Sequence, residues 1–364
     1  MCFTLALVDT PSPALNSTSP SATLTYSQPS SASHGSPSPR FQRIFRSFEP
    51  IGGTRFDVEP EAVSDLELMH HYTAKAYRTL SYSPSVNEAL QYDVPRQAFS
   101  EPSLLHQLHA FSALHLAFQN PSHRQRYLVR AYQHQDKAFE KITSVLDSEL
   151  TQDNCHGVYA ASIFLIICAF ATLPCSEIHN PRFNPIDSLG EIFTLMSGMA
   201  AILMASDKEL RTGPLKDIFS EPSNHGHSVS RLQEVSNQLM RAKEKLSDPL
   251  GDLYDSNSLH AVDAASALIE AIADGSKNTS STPAELRIVF VWPLWLTLSY
   301  LELLQRRHPS ALVILAYYGV VLFHAEQTSW FLQQWAGSLL LGIREQLQGT
   351  PYYEMLEWPL SIFH

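Results

Sequence analysis

Residues 158–173 read VYAASIFLIICAFATL, sixteen positions without a charged side chain, stopped at Pro174. A helix built from such a run has no wet face, so other structure must enclose it all round. The run falls short of the ~18 apolar residues a membrane span needs. It therefore reads as a central helix around which the rest of the chain wraps. With 364 residues, 44% of them apolar, the chain has enough hydrophobic material for one large core.

The remaining pattern is helical from residue 65 onward. Asp65 sits where a cap would, before a helix to Leu80 with Leu66, Met69, Tyr72 or Thr73, Ala76 and Leu80 on its inner face. Ser100 and Pro102 signal the start of a second helix, and Asn120-Pro121 its end. A third, over 122–150, places Tyr127, Ala131, Ala138, Ile142 and Val145 inward. Its wet face carries Arg124, Arg126, Arg130, Asp136, Lys137, Glu140 and Lys141. After the central helix, prolines predict a loop at 174–186. A buried helix over 186–205 follows, with Gly198 suited to close packing, and then a loop at 211–228. Further helices are expected at 229–246, 258–273, 284–305, 309–327 and 329–348. Alternating strand patterns with hairpin dipeptides are missing. The fold class is all-α: a single large irregular domain of about ten or more helices over 49–364.

Residues 1–48 read as a disordered tail or linker. Between 10 and 39, 20 of 30 residues are Ser, Thr or Pro, too little apolar surface to offset the entropy of ordering. Arg40, Arg43 and Arg46 follow among Phe41, Ile44, Phe45 and Phe48. They hint weakly at nuclear import, and fit a flanking segment packed on the domain better. Lys plus Arg number 25 against 36 Asp plus Glu, a net charge of −11. That excess argues against a general electrostatic grip on nucleic acid or on anionic lipid. Neither a secretory leader nor a membrane span is expected. Four cysteines in this length exclude a disulfide scaffold; Cys168 and Cys175 read as buried small hydrophobes.

The search for catalytic motifs finds no phosphate-binding glycine loop, nucleophile elbow or HExxH zinc motif, so no enzyme is expected. His106 and His109, three apart on one helix, can share a metal if a third ligand such as Glu101 or His70 arrives from elsewhere. Packing and capping explain them equally well, and no metal or cofactor is assigned. Of the adjacent His70 and His71, only one can face any given site. The last quarter is dense in aromatics, with four of the five tryptophans between 292 and 335. Large packing residues in a filled core and the lining of a lipid-sized pocket give the same periodicity.

Several strings in order resemble a known family. LELMHHYTAKAYRTLS, PRQAFSEPSLLHQLHAFSALHLAF and RYLVRAYQHQDKAFEKI, then VWPLWLTLSYLELLQRRHPSALVILAYYGVVLF, WFLQQWAGSLLLGI and YYEMLEWP, are similar to the regulatory domain of fungal zinc-cluster transcription factors. The nearest branch is the sterol uptake control type, and the resemblance runs over about 64–360. The family places a six-cysteine zinc cluster for DNA binding ahead of a Ser/Pro-rich linker; the 364 residues hold the linker-like stretch but not that cluster, so no direct nucleic-acid contact is carried over. The resemblance implies a nuclear regulator, cytoplasmic when ligand-bound, that senses a sterol or other apolar small molecule. It implies control of sterol or secondary-metabolite genes, with a DNA-binding transcription factor or a second copy as partner. On that reading Trp292, Trp295, Tyr300, Tyr317, Phe323, Trp330 and Trp335 are the candidate ligand-binding residues. The family's C-terminal tryptophan motif carries glycine beside the second Trp, where this chain has Gln334 and Ala336 around Trp335. The alternative is a helical interaction scaffold, or the remnant of a longer regulator, with no ligand.

Overall fold

The computed structural model describes residues 61–146, 151, 154–176, 183–213, 215–216, 229–253, 255–277 and 282–363. The Ser/Thr/Pro-rich stretch, the arginines at 40–46, Cys2 and most of the loop expected at 211–228 lie outside them. Among the described residues there are 14 α-helices and no strand.

The helices are α1 Glu61–Ala74, α2 Pro84–Glu88, α3 Val94–Ala98, α4 Pro102–Gln119, α5 Arg124–Leu146, α6 Cys155–Cys175 and α7 Pro185–Thr212. There follow α8 Val229–Ser247, α9 Ser258–Lys277, α10 Ala284–Val291, α11 Leu298–Gln305, α12 Pro309–Glu326, α13 Trp335–Leu347 and α14 Glu357–Ser361. Every residue of α6 is buried, as its composition demands. On one side it meets α4 and α5; on the other it meets α7 and the short 3-10 turn Trp330–Leu332. A second group, α8 to α13, packs around α12, whose residues Ser310 to Leu322 are all buried. One continuous hydrophobic core runs through both groups. By length and composition α6 and α12 could each cross a membrane, yet the most apolar stretch of α6 lies wholly inside the protein, as does 78% of that of α12.

Several expectations are corrected. α1 begins at Glu61, so Asp65 is internal to the helix rather than its cap. Of the expected inner row Tyr72, Ala76 and Leu80 are buried, but Leu66 is 71% exposed and Leu68 is buried instead. α4 is capped by Glu101, not Ser100: the carboxylate accepts from the Ser103 N–H and, at 2.7 Å, from its hydroxyl. Gly198 is exposed, and a Cβ there would meet nothing within 4 Å. A close approach is found instead at Gly157, where a Cβ would lie 2.5 Å from Glu101 Cγ, and at Gly213, where it would run into the His156 ring. The central helix does not stop at Pro174 but includes it in the last turn, where only one backbone bond is lost. α7 outruns its expected end at 205 because it bends at Ser206, with φ −132°, and continues to Thr212.

The two long C-terminal helices expected from periodicity are both broken. Pro293 converts the chain after α10 into a 3-10 turn, Trp292–Trp295, and α11 leaves at 100° to the preceding segment with Thr297 as its cap. Gln334, before α13, takes φ +71°, the left-handed conformation in which glycine is comfortable and glutamine is not. The first turn of α13 is then capped from a distance: Glu326, the last residue of α12, accepts the Ala336 N–H at 2.6 Å. Burial pushes its carboxyl up to about 7, against the pull of the Ala336, Gln334 and Trp335 N–H groups. Glu326→Ala is expected to lower stability by about 1–2 kcal/mol through loss of this cap, read as a reduced urea midpoint with unchanged slope.

Candidate functional site

The seven candidate aromatics fall into several packed groups. Trp292 and Tyr300 are fully buried with rings 5.9 Å apart, and Tyr318 and Phe193 complete their cluster at 4.7 and 5.8 Å from Trp292. Trp335 packs edge-on against Phe170 at 5.5 Å and Phe183 at 5.7 Å. From Phe170 a chain of ring contacts runs through Phe290 and Phe331 to Trp330, and from Trp330 to Phe111, His115 and Phe118. Tyr317 stacks on Trp358, and Phe323 packs on Phe363 at 4.6 Å. Trp295 is half-buried at the rim of the core. Trp330 and Trp335 thus share one aromatic network, Trp292 and Tyr300 belong to a second, and Tyr317 and Phe323 hold the C-terminal segment.

The polar atoms of Trp292, Tyr300, Tyr317, Trp330 and Trp335 already have partners. Trp292 Nε1 donates to the Ala264 carbonyl at 2.9 Å, Trp335 Nε1 to Phe170 at 2.8 Å, and Trp330 Nε1 to the Thr79 hydroxyl at 3.1 Å. The Tyr300 hydroxyl donates to Ala311 and that of Tyr317 to Met355. Burial raises both phenols, Tyr317 to about 12, so they remain neutral donors.

Three of the aromatic donors share a geometry. Pro174 has no N–H to offer the carbonyl four residues back, Phe170, and Trp335 supplies one. Pro293 likewise leaves Val289, whose carbonyl accepts from the Tyr318 hydroxyl at 2.9 Å. Ala89–Asp93 is a π turn, in which the carbonyl of Leu90 would look five residues on, to Pro95; there the Tyr72 hydroxyl donates at 3.0 Å. Each proline disrupts a helix, and each time a buried ring on another element meets the exposed carbonyl.

A polar cluster lies between α1, α4 and α5. His106 Nδ1 is 3.1 Å from His134 Nδ1, and His134 Nε2 is 3.1 Å from Asp65 Oδ1. Arg130 pairs with the same Asp65 oxygen and lies 3.4 Å from His134 Nε2. The His109 ring sits edge-on to His134 at 4.8 Å, and its Nδ1 is buried without a hydrogen-bond partner. Burial holds His109 and His134 well below the usual imidazole range, so both are neutral at pH 7. The third imidazole comes from His134, 28 residues along the chain, a proximity that helical spacing could not reveal. Glu101 is engaged in its cap, and His70 is exposed. A second histidine pair, His71 and His115, is joined by a 2.9 Å hydrogen bond. Cys155, Cys168 and Cys175 are buried, and burial raises the thiols of Cys168 and Cys175, which leaves both inert.

Comparison with known proteins places these helices. Residues 67–179, from α1 through α6, match the family model of the fungal specific transcription factor domain. The chain is 26% identical over 279 residues to the Zn(2)-C6 fungal-type transcription factor afumD of Aspergillus fumigatus, covering 72% of this chain and 69% of that one. It is 23% identical over 316 residues to a Zn(2)-C6 fungal-type transcription factor of Gibberella zeae, covering 83% and 62%. Sterol uptake control protein 2 of Saccharomyces cerevisiae is 24% identical over 303 residues, 81% of this chain but 31% of that protein.

Proposed function

We propose that this chain, whose residues 67–179 form a fungal specific transcription factor domain, is a nuclear regulator of transcription and not an enzyme. The domain match carries the reading, and similarity to Zn(2)-C6 fungal-type transcription factors, over 72% and 83% of the chain, extends it past the matched segment. These 364 residues hold four cysteines, so a six-cysteine cluster that reads DNA would come from a DNA-binding partner or from another part of the polypeptide. The helical body is the regulatory part. Deleting the gene is expected to change a coherent set of transcripts, those of sterol or secondary-metabolite enzymes; an unchanged transcriptome would defeat the regulatory reading.

The finer part of the proposal is that the body responds to a sterol or other apolar small molecule. Similarity to a sterol uptake control protein supports it. So does the half-buried aromatic surface of Trp295, Phe323 and Trp358. A sterol would gain affinity from apolar burial, and by redistribution the liganded protein would enter the cytoplasm. Intrinsic tryptophan fluorescence is expected to shift saturably on titration with ergosterol, and Trp295→Phe to reduce the amplitude. A flat titration removes the sterol and leaves the regulator standing.

One observation favours the second reading, a scaffold without a ligand. Trp292, Tyr300 and Trp335 are fully buried, and each N–H or O–H is committed to a backbone carbonyl. That is the condition of a filled core.

A further inference from the structure

We propose that His106 and His109 of α4 and His134 of α5 together bind one divalent transition-metal ion, zinc foremost, with Asp65 of α1 as the carboxylate that orients His134. One nitrogen from each of the three rings already lies within 4.8 Å of the other two. The His106 and His134 Nδ1 atoms, 3.1 Å apart, have nearly the ~3.3 Å separation of two nitrogens each ~2.0–2.1 Å from a tetrahedral zinc. The third nitrogen, at up to 4.8 Å, reaches that spacing by a side-chain movement of about 1.5 Å.

The tautomers agree with this use. His134 Nε2, beside the Asp65 carboxylate at 3.1 Å, carries the proton and donates it. That leaves Nδ1 of the same ring with a lone pair facing His106. A ligating imidazole whose other nitrogen donates to a carboxylate is the usual support of a histidine-bound metal. His109 brings the second, independent observation. Its ring is 5% exposed and its Nδ1 has no hydrogen-bond partner, an arrangement a folded protein rarely tolerates unless something binds there. Neutral imidazoles suit zinc, copper and nickel rather than calcium or magnesium. Arg130 sets the charge balance: its guanidinium pairs with Asp65 and lies 3.4 Å from His134 Nε2, on the carboxylate side of that ring, so the Asp65 charge is neutralised and the ion adds net positive charge. When bound, the ion ties α1, α4 and α5 together at the start of the matched domain.

The test uses the full chain and zinc alone. Equilibrium dialysis followed by elemental analysis is expected to find one zinc per chain, and Co2+ in its place to give the visible absorption of a low-coordinate nitrogen site. His106→Asn, at the half-exposed position, and His109→Asn are each expected to weaken binding at least 100-fold. Asp65→Asn is expected to weaken it about 10–100-fold while leaving the helical circular dichroism unchanged. At free zinc 100 times its Kd, the folded-to-unfolded ratio of the unaltered chain should rise about 100-fold. Absence of a bound ion in the unaltered chain overturns the proposal whatever the variants do. Stoichiometric binding that survives the triple His106→Asn, His109→Asn, His134→Asn change overturns it as well.

Discussion

Trp335→Phe is expected to destabilise the protein by about 2–3 kcal/mol, and the same change in a Pro174→Ala background by clearly less. The indole N–H donates to the Phe170 carbonyl at 2.8 Å, the group that Pro174 leaves without its intrahelical partner. Removing the donor while the proline stays leaves a buried acceptor unpaired, which costs about 1–3 kcal/mol; the smaller ring adds a packing loss. Alanine at 174 restores an N–H at the i−4 distance, so the carbonyl no longer depends on the indole. The cycle should therefore show a coupling of about 1 kcal/mol or more between residues 174 and 335. Strict additivity would mean that the indole contributes packing alone. Tyr318→Phe is the cleaner companion because it deletes only a hydroxyl; it should couple in the same way to Pro293→Ala. Trp335→Ala, which also opens a cavity, is expected to cost about 3–5 kcal/mol. Urea unfolding of the full chain reads each value.

The same residues show how far the fold could be read from the chain alone. The enclosure of α6 follows from composition, because 158–173 carries no charged side chain and only Tyr159, Ser162 and Thr172 among its sixteen residues bear a polar group. Pro174 is legible as an interruption, whereas Pro293 lies inside the helix expected over 284–305 and its effect is not. One is absorbed in the last turn of a helix and the other precedes a 100° turn of the chain, although a buried ring meets the freed carbonyl in both cases. Residues 84–98 carry two prolines and a weak pattern, so no helix was expected there. Pro84 opens α2 and Pro95 falls in the first turn of α3, positions that accept proline, with the Leu90 carbonyl that Pro95 leaves taken by the Tyr72 hydroxyl. Tyr72 faces inward as its spacing predicts, but the apolar Leu66 is exposed and Leu68 holds its place on that face. Helix phase is set by the partner, not by one leucine. The aromatic density at 292–335 was plain, but its division among separate clusters depends on Phe170, Phe193 and Phe111, all remote in sequence. His106 and His109 were visible as a pair; His134 and Asp65 join them only when three helices pack.

Acid is expected to weaken the fold steeply between pH 6.5 and 4, and the His71–His115 pair to supply much of the slope. His71 Nε2 and His115 Nδ1 share a hydrogen bond, and His115 Nε2 meets the Gln119 amide at 3.1 Å. Desolvation, reinforced for His71 by Lys75 and for His115 by His71, lowers both from 6.5 to about 4. In the unfolded chain each binds a proton near 6.5; in the folded chain neither does until about 4. Between those values the unfolded state holds more protons, so stability rises with pH, is fully present above 6.5 and drains away as pH falls to 4. A shift of this size corresponds to roughly 3 kcal/mol for one such group. The two share one bond, so their joint effect is less than twice that. Glu326, raised to about 7 by burial, acts with the opposite sign between about 4.5 and 7, where its protonation favours the folded chain. His109 and His134, lowered by the same burial, add a residual slope of the His71 sign. The measurement is therefore a difference: urea midpoints across pH 4 to 7 for the parent and for a His71→Gln, His115→Gln chain, whose amides keep hydrogen bonding but do not titrate. The double variant should lose a smaller part of its stability on acidification, and the two profiles should converge toward pH 4. Parallel profiles would show that the pair is protonated in the folded protein, and that the acid sensitivity of the domain arises from other groups.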